Sequence, residues 1–268
     1  MDTPTPSSDA HPPREIARLV QGVGVAKARM DWVTMGVLSV LAGAFISVGA
    51  ALYLVVMTDP GLGLGPSRLL GGASFSLGLV LVVVAGAELF TGNNLLAMAW
   101  ASGLLRTRDV LRSWVVVYVG NTIGCAATVA LVVWADVASI GGGRVGDTAV
   151  RIAQGKADLA IGTAFARGVL CNALVCLAVW LAMGGRSVAD KILAIVFPIT
   201  AFVALGLEHS IANLFLLPYG AALDHAGVVS IAGAARNLAA VTAGNVAGGT
   251  LLVALVYWVA YLRHPVRQ

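Results

Sequence analysis

The chain has 268 residues, of which 59% are hydrophobic and only 11% are charged, and its formal net charge at pH 7 is +4. A soluble domain carries about 25% charged residues, so this composition excludes an ordinary soluble protein and predicts a polytopic membrane protein. Because Lys and Arg collect in cytoplasmic loops, a modest positive charge is expected of this class and gives no support for nucleic-acid binding.

The chain opens with a polar segment. Residues 1–31 are predicted to form a cytoplasmic tail, with disorder in residues 1–13, which are rich in Pro, Ser, Thr and Asp. Residues 14–30 are expected to form an amphipathic helix at the membrane surface. Its apolar side is predicted to carry Ile16, Leu19, Val20 and Val23.

Six hydrophobic runs follow, each near or above the roughly 20 residues that a spanning helix needs. Their limits are 32–57, 69–101, 110–135, 160–183, 190–218 and 237–262. They predict an all-α transmembrane domain over residues 32–262 and a cytoplasmic tail over residues 263–268. Placing both termini in the cytoplasm puts most of the Lys and Arg residues there, which predicts this orientation for a multi-pass protein of the inner membrane.

The second and fifth runs each contain a polar interruption, namely Glu88-Leu-Phe-Thr-Gly-Asn93 and Glu208-His-Ser-Ile-Ala-Asn213. Irregular, polar backbone at membrane depth is tolerated only where it is buried in protein or lines a cavity. We therefore expect two broken helices that meet at a central site for a small solute. Glu88, Asn93, Glu208 and Asn213 are expected to hold the broken ends in place, and a proton-relay role for the two glutamates is the alternative.

An internal repeat accompanies the two interruptions. Gly120-Asn121-Thr-Ile-Gly124 in the third run matches Gly244-Asn245-Val-Ala-Gly248 in the sixth. Three spans followed by three spans invert the second copy, which predicts two inverted three-helix repeats. The glycines are expected at close helix contacts, and the asparagines are expected to bond neighbouring backbone.

His209 and Thr91 are the sharpest candidates for contact with a solute. An imidazole changes charge near physiological pH, so His209 suits a site that meets an anion or exchanges a proton. The alternative for His209 is that it satisfies backbone groups freed at the helix break. Thr91 is able to donate to a substrate or to His209, or to cap a helix end.

Further candidates lie towards the mouths of the expected pore. Lys156 precedes the fourth run, where it is expected to raise the local anion concentration, or else to be an ordinary interfacial lysine. Phe75, Leu79 and Phe202 precede the interruptions and are interpreted either as apolar constrictions or as plain packing. Three cysteines within the runs are expected to be buried free thiols, and no cofactor or metal site is predicted.

Three stretches carry a resemblance to a known family. They are Arg167-Gly-Val-Leu-Cys-Asn-Ala-Leu-Val-Cys-Leu-Ala-Val-Trp180, Gly206-Leu-Glu-His-Ser-Ile-Ala-Asn-Leu-Phe-Leu-Leu-Pro218 and Ala87-Glu-Leu-Phe-Thr-Gly-Asn93. Over residues 14–262 the chain resembles the formate/nitrite transporter family. The resemblance implies an aquaporin-like fold of six helices, the second and fifth broken, assembled as a homopentamer with one pore per protomer.

The same resemblance implies roles for particular residues. The family's central histidine falls on His209, its loop threonine on Thr91, its vestibule lysine on Lys156 and its fourth-helix asparagine on Asn172. Constriction residues of the formate type are matched by Phe75, Leu79, Leu89 and Phe202.

The function expected from this resemblance is transport of a small monovalent anion through the bilayer. Formate is the expected substrate, and proton coupling at His209 is a second hypothesis. Nitrite or hydrosulfide is the alternative within the family, and a neutral-solute aquaporin-like pore is more distant. No hydrolytic motif accompanies His209, so an enzyme is not predicted. Residues 14–30, beside the inner mouth, are a candidate gate.

Overall fold

The computed structural model describes residues 10–263; the predictions for residues 1–9 and 264–268 therefore lie outside the described residues. Within residues 10–263 the chain is helical and contains no strand. The α-helices are α1 Pro13–Ala28, α2 Trp32–Met57, α3 Leu64–Phe75, α4 Leu77–Val80, α5 Leu96–Ala101, α6 Thr107–Trp134, α7 Arg144–Ala157, α8 Ile161–Gly184, α9 Val188–Ala204, α10 Ser210–Leu223, α11 Ile231–Ala247 and α12 Leu255–Tyr261.

Five helical segments within the described residues are long and apolar enough to cross a membrane. They are Trp32–Met57, Leu64–Gly86, Thr107–Trp134, Ile161–Gly184 and Ile231–Tyr261, and Ser210–Leu223 is a shorter apolar helix. The second segment comprises α3, α4 and a π-helical turn, Leu81–Gly86, and the last contains a second π-helical stretch, Gly248–Ala254. The predicted run 190–218 corresponds to α9 and α10, which are separate helices.

Helix α7 was not predicted, because the segment after α6 contains no apolar run. The buried face of α7 is instead built from Val145, Ala149, Ala153 and Ala157, one small residue per turn. Residues four apart lie on the same side of a helix, so this narrow stripe is enough to pack α7 against α10. The remaining positions are polar or charged and keep the average hydropathy low.

The expected N-terminal amphipathic helix is α1, which begins at Pro13. Its apolar face is covered by protein rather than left on a lipid surface, because Ile16, Ala17 and Val20 are buried in a cluster with Met98 and Trp180. Leu19, assigned to the apolar side, is 37% exposed. Helix α1 therefore caps one mouth of the helical domain, and α7 lies at the opposite mouth.

Both interrupted segments stop at a glycine that stands two residues before a glutamate. Gly86 has φ +86° and Gly206 has φ +68°, in the left-handed region that other residues enter only at a cost. The chain then runs extended before turning into a second helix, at Gly92–Leu95 and α5 in one break and at α10 in the other. The positive φ angles end the incoming helices and let the two interruptions turn inward.

The glycines of the internal repeat lie at equivalent backbone contacts. A Cβ on Gly124 of α6 would collide with the carbonyl of Val40 in α2, and a Cβ on Gly248 would collide with that of Val169 in α8. Small residues at these points let helix backbones approach closely, as the repeat predicted. The α2–α6 and α8–α11 pairs are therefore packed in the same way.

Alanine at Gly86 is expected to destabilise the protein through backbone strain alone, because no atom lies within 4 Å of the added Cβ. Forcing an L-residue into the left-handed region costs about 1–2 kcal/mol. Thermal unfolding in detergent should show a lowered midpoint for Gly86→Ala. Gly36→Ala, in the regular helix α2 and also with open space around it, is the matched control and should not lower the midpoint. Equal midpoints for Gly86→Ala and the unmodified protein would contradict this account.

Candidate functional site

Asn121 of α6 satisfies the backbone of the first break. Its side-chain oxygen accepts the backbone N–H of Phe90 at 2.9 Å, and its amide nitrogen donates to the carbonyls of Ser39 at 2.7 Å and Glu88 at 2.9 Å. Unpaired backbone groups in an apolar interior cost several kcal/mol each. The asparagine thus supplies bonds that the regular helix would have made.

Asn245 of α11 makes the equivalent bonds at the second break. Its oxygen accepts the N–H of Ser210 at 2.9 Å, and its amide nitrogen donates to the carbonyls of Gly168 at 2.8 Å and Glu208 at 3.0 Å. The backbone bonds expected of these two asparagines from the repeat are therefore present, and each one ties a break to the helix beside it.

Asn172 of α8 links the first break to Asn245, the residue that holds the second break. Its amide donates to the carbonyl of Thr91 at 3.3 Å and to that of Asn245 at 2.7 Å. It therefore fixes the position of Thr91 through the backbone, and no bond joins it to His209 among the contacts that the structure describes.

Each break carries a buried glutamate held by the asparagine that follows it. Glu88 is 4% exposed and accepts from Asn93 at 2.8 Å, and Glu208 is 3% exposed and accepts from Asn213 at 2.7 Å. The Glu-to-Asn spacing seen in the sequence thus closes each break with a side-chain bond.

Each glutamate is also paired with a lysine. Lys156 lies 3.0 Å from Glu208, and Lys27 lies 2.9 Å from Glu88 and 3.2 Å from the side-chain oxygen of Asn93. Lys27 was missed, because the N-terminal helix was assigned to the membrane surface. A signal was available: Lys27 and Lys156 are each the penultimate residue of an amphipathic helix, α1 and α7, at the start of a repeat.

Thr91 and His209 meet at the centre, with 2.9 Å between Thr91 Oγ1 and His209 Nε2. Thr91 is fully buried and His209 is 3% exposed. His209 is the N-cap of α10, and its Nδ1 accepts the N–H of Ala212 at 3.1 Å. Because Nδ1 is an acceptor, the ring is neutral with its proton on Nε2, which donates to the Thr91 oxygen. The hydroxyl hydrogen of Thr91 is then free to donate to a further acceptor.

Two cavities approach this pair from opposite sides. The α1-side cavity, of about 260 Å³, is lined by Leu79, Leu89, Lys27 and Glu88 among mostly apolar residues. The α7-side cavity, of about 280 Å³, reaches His209 and Lys156. Thr91 lines neither of these cavities, so the Thr91–His209 contact lies in the partition between them.

The four expected constriction residues divide between the cavities. Phe75 and Phe202 line the α7-side cavity and pack edge to face, with ring centroids 5.5 Å apart. Leu79 and Leu89 line the α1-side cavity. All four are at most 4% exposed, so apolar side chains separate the cavities on both sides of the central pair.

A helical protein in which two broken apolar segments meet at a buried polar pair between two cavities is a membrane channel or transporter. A family model described as formate/nitrite transporter matches residues 14–259 of this chain. The formate channel FocA of Escherichia coli strain K12 is 36% identical over 271 residues, covering 94% of this chain and 94% of that protein.

Solved structures agree with this match. An FNT family ion channel has a TM-score of 0.85 at 29% identity, covering 92% of this chain and 98% of that one. A pentameric formate channel with formate bound has a TM-score of 0.79 at 36% identity, covering 87% of this chain and 98% of that one. The chain belongs to the formate/nitrite transporter family, and the predictions of this family and of an all-α membrane transport protein are confirmed.

Asn121→Ala is expected to destabilise the first break, because it leaves the N–H of Phe90 and the carbonyl of Glu88 unpaired in the interior. Each unsatisfied buried group costs about 1–3 kcal/mol. The measurement is thermal unfolding in detergent, with Thr122→Ala as the control. Thr122 is on the same helix, and its hydroxyl bonds only to the carbonyl of Tyr118 within that helix. A midpoint for Asn121→Ala no lower than that of Thr122→Ala would rule out this role.

Proposed function

We propose that this chain is a channel for small monovalent anions, formate first among them. One pore runs through each protomer, between the α1-side and α7-side cavities. The contact between Thr91 and His209 carries this proposal, because it places a hydrogen-bond donor between two cavities that are separated on either side by apolar side chains. Membership of a family that includes formate channels supports the choice of anion.

The membrane arrangement we propose has six spans in two inverted repeats, formed by α2, α3–α5 and α6, then by α8, α9–α10 and α11–α12. The matching bonds of Asn121 and Asn245 and the matching pairs Lys27–Glu88 and Lys156–Glu208 support the repeat. The distribution of Lys and Arg favours both termini in the cytoplasm of an inner-membrane protein. The α1-side cavity is then cytoplasmic and the α7-side cavity is external.

The assembly we propose is a homopentamer, as in the solved pentameric formate channel. Apolar side chains along the spans, including Val115, Phe197 and Leu252, are exposed in the single chain. Lipid or a neighbouring subunit has to cover them. The domain limits follow from the helices, with a tail and α1 before residue 32 and the pore over residues 32–262.

In the mechanism we propose, an anion leaves water in the external cavity and passes the Phe75–Phe202 pair to reach the Thr91 hydroxyl. Burying an isolated charge is very costly, so the anion needs donors at the point where it has lost its water. Thr91 donates its free hydrogen to the anion, while the N–H of His209 polarises that hydroxyl. Leu79 and Leu89 then line the route into the cytoplasmic cavity.

The lysine–glutamate pairs contribute at each mouth of this route. Each pair places polar groups in a cavity, and its two charges offset one another; Lys156 also offers further N–H donors beside Glu208. Asn93 and Asn213 hold the carboxylates in place. Asn172 acts as a positioning residue, because it bonds the Thr91 carbonyl.

The bonding of His209 favours passage as a hydrogen-bonded anion over protonation at the site. Transfer of the Nε2 proton would leave an imidazolate in an apolar interior, and a second ring proton would displace the Ala212 N–H from Nδ1. Proton-coupled transport would therefore require one of two things. Either the anion arrives already protonated as its neutral acid, or the hydrogen bond from the Ala212 N–H to His209 Nδ1 breaks. Nitrite is the alternative substrate, because it has the same charge and a similar size. We propose no catalytic role.

Purified protein in liposomes is expected to admit formate much faster than protein-free liposomes do. Uptake of formate, nitrite, hydrosulfide, acetate and chloride should be compared at about pH 7 and about pH 5. Fastest uptake of formate supports the proposal, whereas faster nitrite or hydrosulfide moves the assignment to that substrate. Absence of uptake for every anion would refute the proposed function.

His209→Gln and His209→Phe separate hydrogen bonding from proton transfer. Glutamine keeps an N–H donor near the position of Nε2 but has no titratable nitrogen, so it should retain formate uptake with the pH response of the unmodified protein. Phenylalanine removes the donor, and uptake should fall by about tenfold or more. Size-exclusion chromatography serves as the check on assembly. Loss of the pH response in an active Gln variant would instead show that the ring transfers a proton.

A further inference from the structure

The external cavity contains a group of basic side chains that the lysine–glutamate pair does not account for. Its lining includes Arg68, Arg151, Arg167, Lys156 and the carboxylate of Glu208. Lys156 and Glu208 form an ion pair at 3.0 Å, and within residues 10–263 the three guanidinium groups have no carboxylate at ion-pair distance. The cytoplasmic cavity differs, since its lining contains no charged side chain besides Lys27 and Glu88.

Arg68 and Arg151 come from different helices, α3 and α7, and share a second, smaller cavity. This side pocket, of about 180 Å³, adjoins the main cavity and is lined by both arginines together with Tyr53, Met57, Thr148, Ile152 and Val203. No acidic residue is among these lining residues. Within residues 10–263, no carboxylate lies within ion-pair distance of either arginine.

Among the residues that the structure describes, each of these two arginines makes one hydrogen bond and has further donors without a partner. Arg68 donates from Nη1 to the carbonyl of Ala204 at 3.2 Å, and Arg151 donates from Nη2 to the hydroxyl of Thr148 at 3.1 Å. A guanidinium has five N–H donors, so most remain available. Gly206 contributes to the placement, because a Cβ there would lie 3.2 Å from Arg68 Nη1.

We propose that Arg68 and Arg151 form a capture site for a planar anion with two oxygen atoms on one centre, a small carboxylate or nitrite, before it reaches the Phe75–Phe202 pair. This inference rests on the proposed function, and it assigns the substrate class that the external mouth collects. A guanidinium presents two parallel N–H groups that match such an anion, which a lysine ammonium does not do.

The site is partly open to water, since both arginines are exposed, so binding there is weak. Weak binding is what conduction requires, because an anion that is held tightly does not leave the mouth for the pore. The capture site therefore sets the external formate concentration at which uptake is half-maximal. At saturating formate the rate is set by the passage past Thr91, which neither arginine touches.

The test measures initial formate uptake by proteoliposomes over a range of external formate concentrations. The variants are two double substitutions. One combines Arg68→Lys with Arg151→Lys, and the other combines Arg68→Gln with Arg151→Gln. Lysine keeps the charge but loses the planar pair of donors. Both double variants should therefore raise the half-saturating formate concentration by about fivefold, with the maximal rate unchanged.

Arg236→Lys is the matched control, because Arg236 is an exposed arginine of α11 that lines none of these cavities. The inference is overturned if the double Lys variant keeps the unmodified half-saturating concentration, since charge alone would then suffice. It is also overturned if the double Gln variant keeps it, or if only the maximal rate falls. Absence of formate uptake by the unmodified protein is a different result, because it refutes the proposed function itself.

Discussion

Interrupting two helices in the middle of a membrane protein exposes backbone N–H and carbonyl groups where no water is available to bond them. Asn121 and Asn245 each meet this requirement with two bonds to the backbone of a break and a third to a neighbouring helix, and Asn172 bonds the carbonyl of Thr91 in the first break and that of Asn245, which in turn holds the second. The central contact depends on this framework. Thr91 and His209 lie on separate breaks, and their 2.9 Å contact exists only because both breaks are fixed to neighbouring helices.

The buried carboxylates of Glu88 and Glu208 impose a second requirement, because a buried charge without a partner is strongly destabilising. Each break solves it in the same way, with an asparagine from its own segment and a lysine from an amphipathic helix. Helix α1 supplies Lys27 and helix α7 supplies Lys156. The two amphipathic helices are thereby coupled to the breaks, and a movement of either helix would disturb a charge beside the pore. A gating role for the N-terminal helix stays a prediction, and the Lys27–Glu88 pair is the contact through which it would act.

Much of this site could be predicted from the sequence, because the polar residues that interrupt apolar runs are rare and conspicuous. Glu88, Asn93, Glu208 and Asn213 stand out in this way, and the repeated Gly-Asn pattern indicated Asn121 and Asn245. Lys27 and α7 did not stand out. Lys27 lies in a polar segment where a lysine is ordinary, and α7 buries alanines at four-residue spacing, which no hydropathy average detects.

The state of the histidine is a different kind of information. Its position at a break was visible in the sequence, but its tautomer depends on which nitrogen faces the N–H of Ala212, and this is a matter of three-dimensional geometry. The same holds for Arg68 and Arg151, which are 83 positions apart in the numbering and meet only in the folded chain. Composition and spacing identify polar residues that are costly to bury in an apolar run. They say little about exposed residues that are distant in sequence and come together only in the folded chain.

The two halves of the protein share the residues that hold the breaks in place, but they differ in the other residues that line the cavities. At both breaks the free backbone groups need hydrogen-bond partners and the buried glutamate needs a positive charge. The asparagines, glutamates and lysines therefore recur in both halves. The other side chains that line the cavities are under no such requirement, and there the halves differ: those of the α1-side cavity are mostly apolar, and those of the α7-side cavity include three arginines. Under the proposed function, substitutions at the residues that hold the breaks are therefore expected to change whether a pore forms, while substitutions at the arginines are expected to change which anion is bound. If the proposed function holds, selectivity is therefore expected to depend on the donors of the α7-side cavity and on the Thr91 hydroxyl.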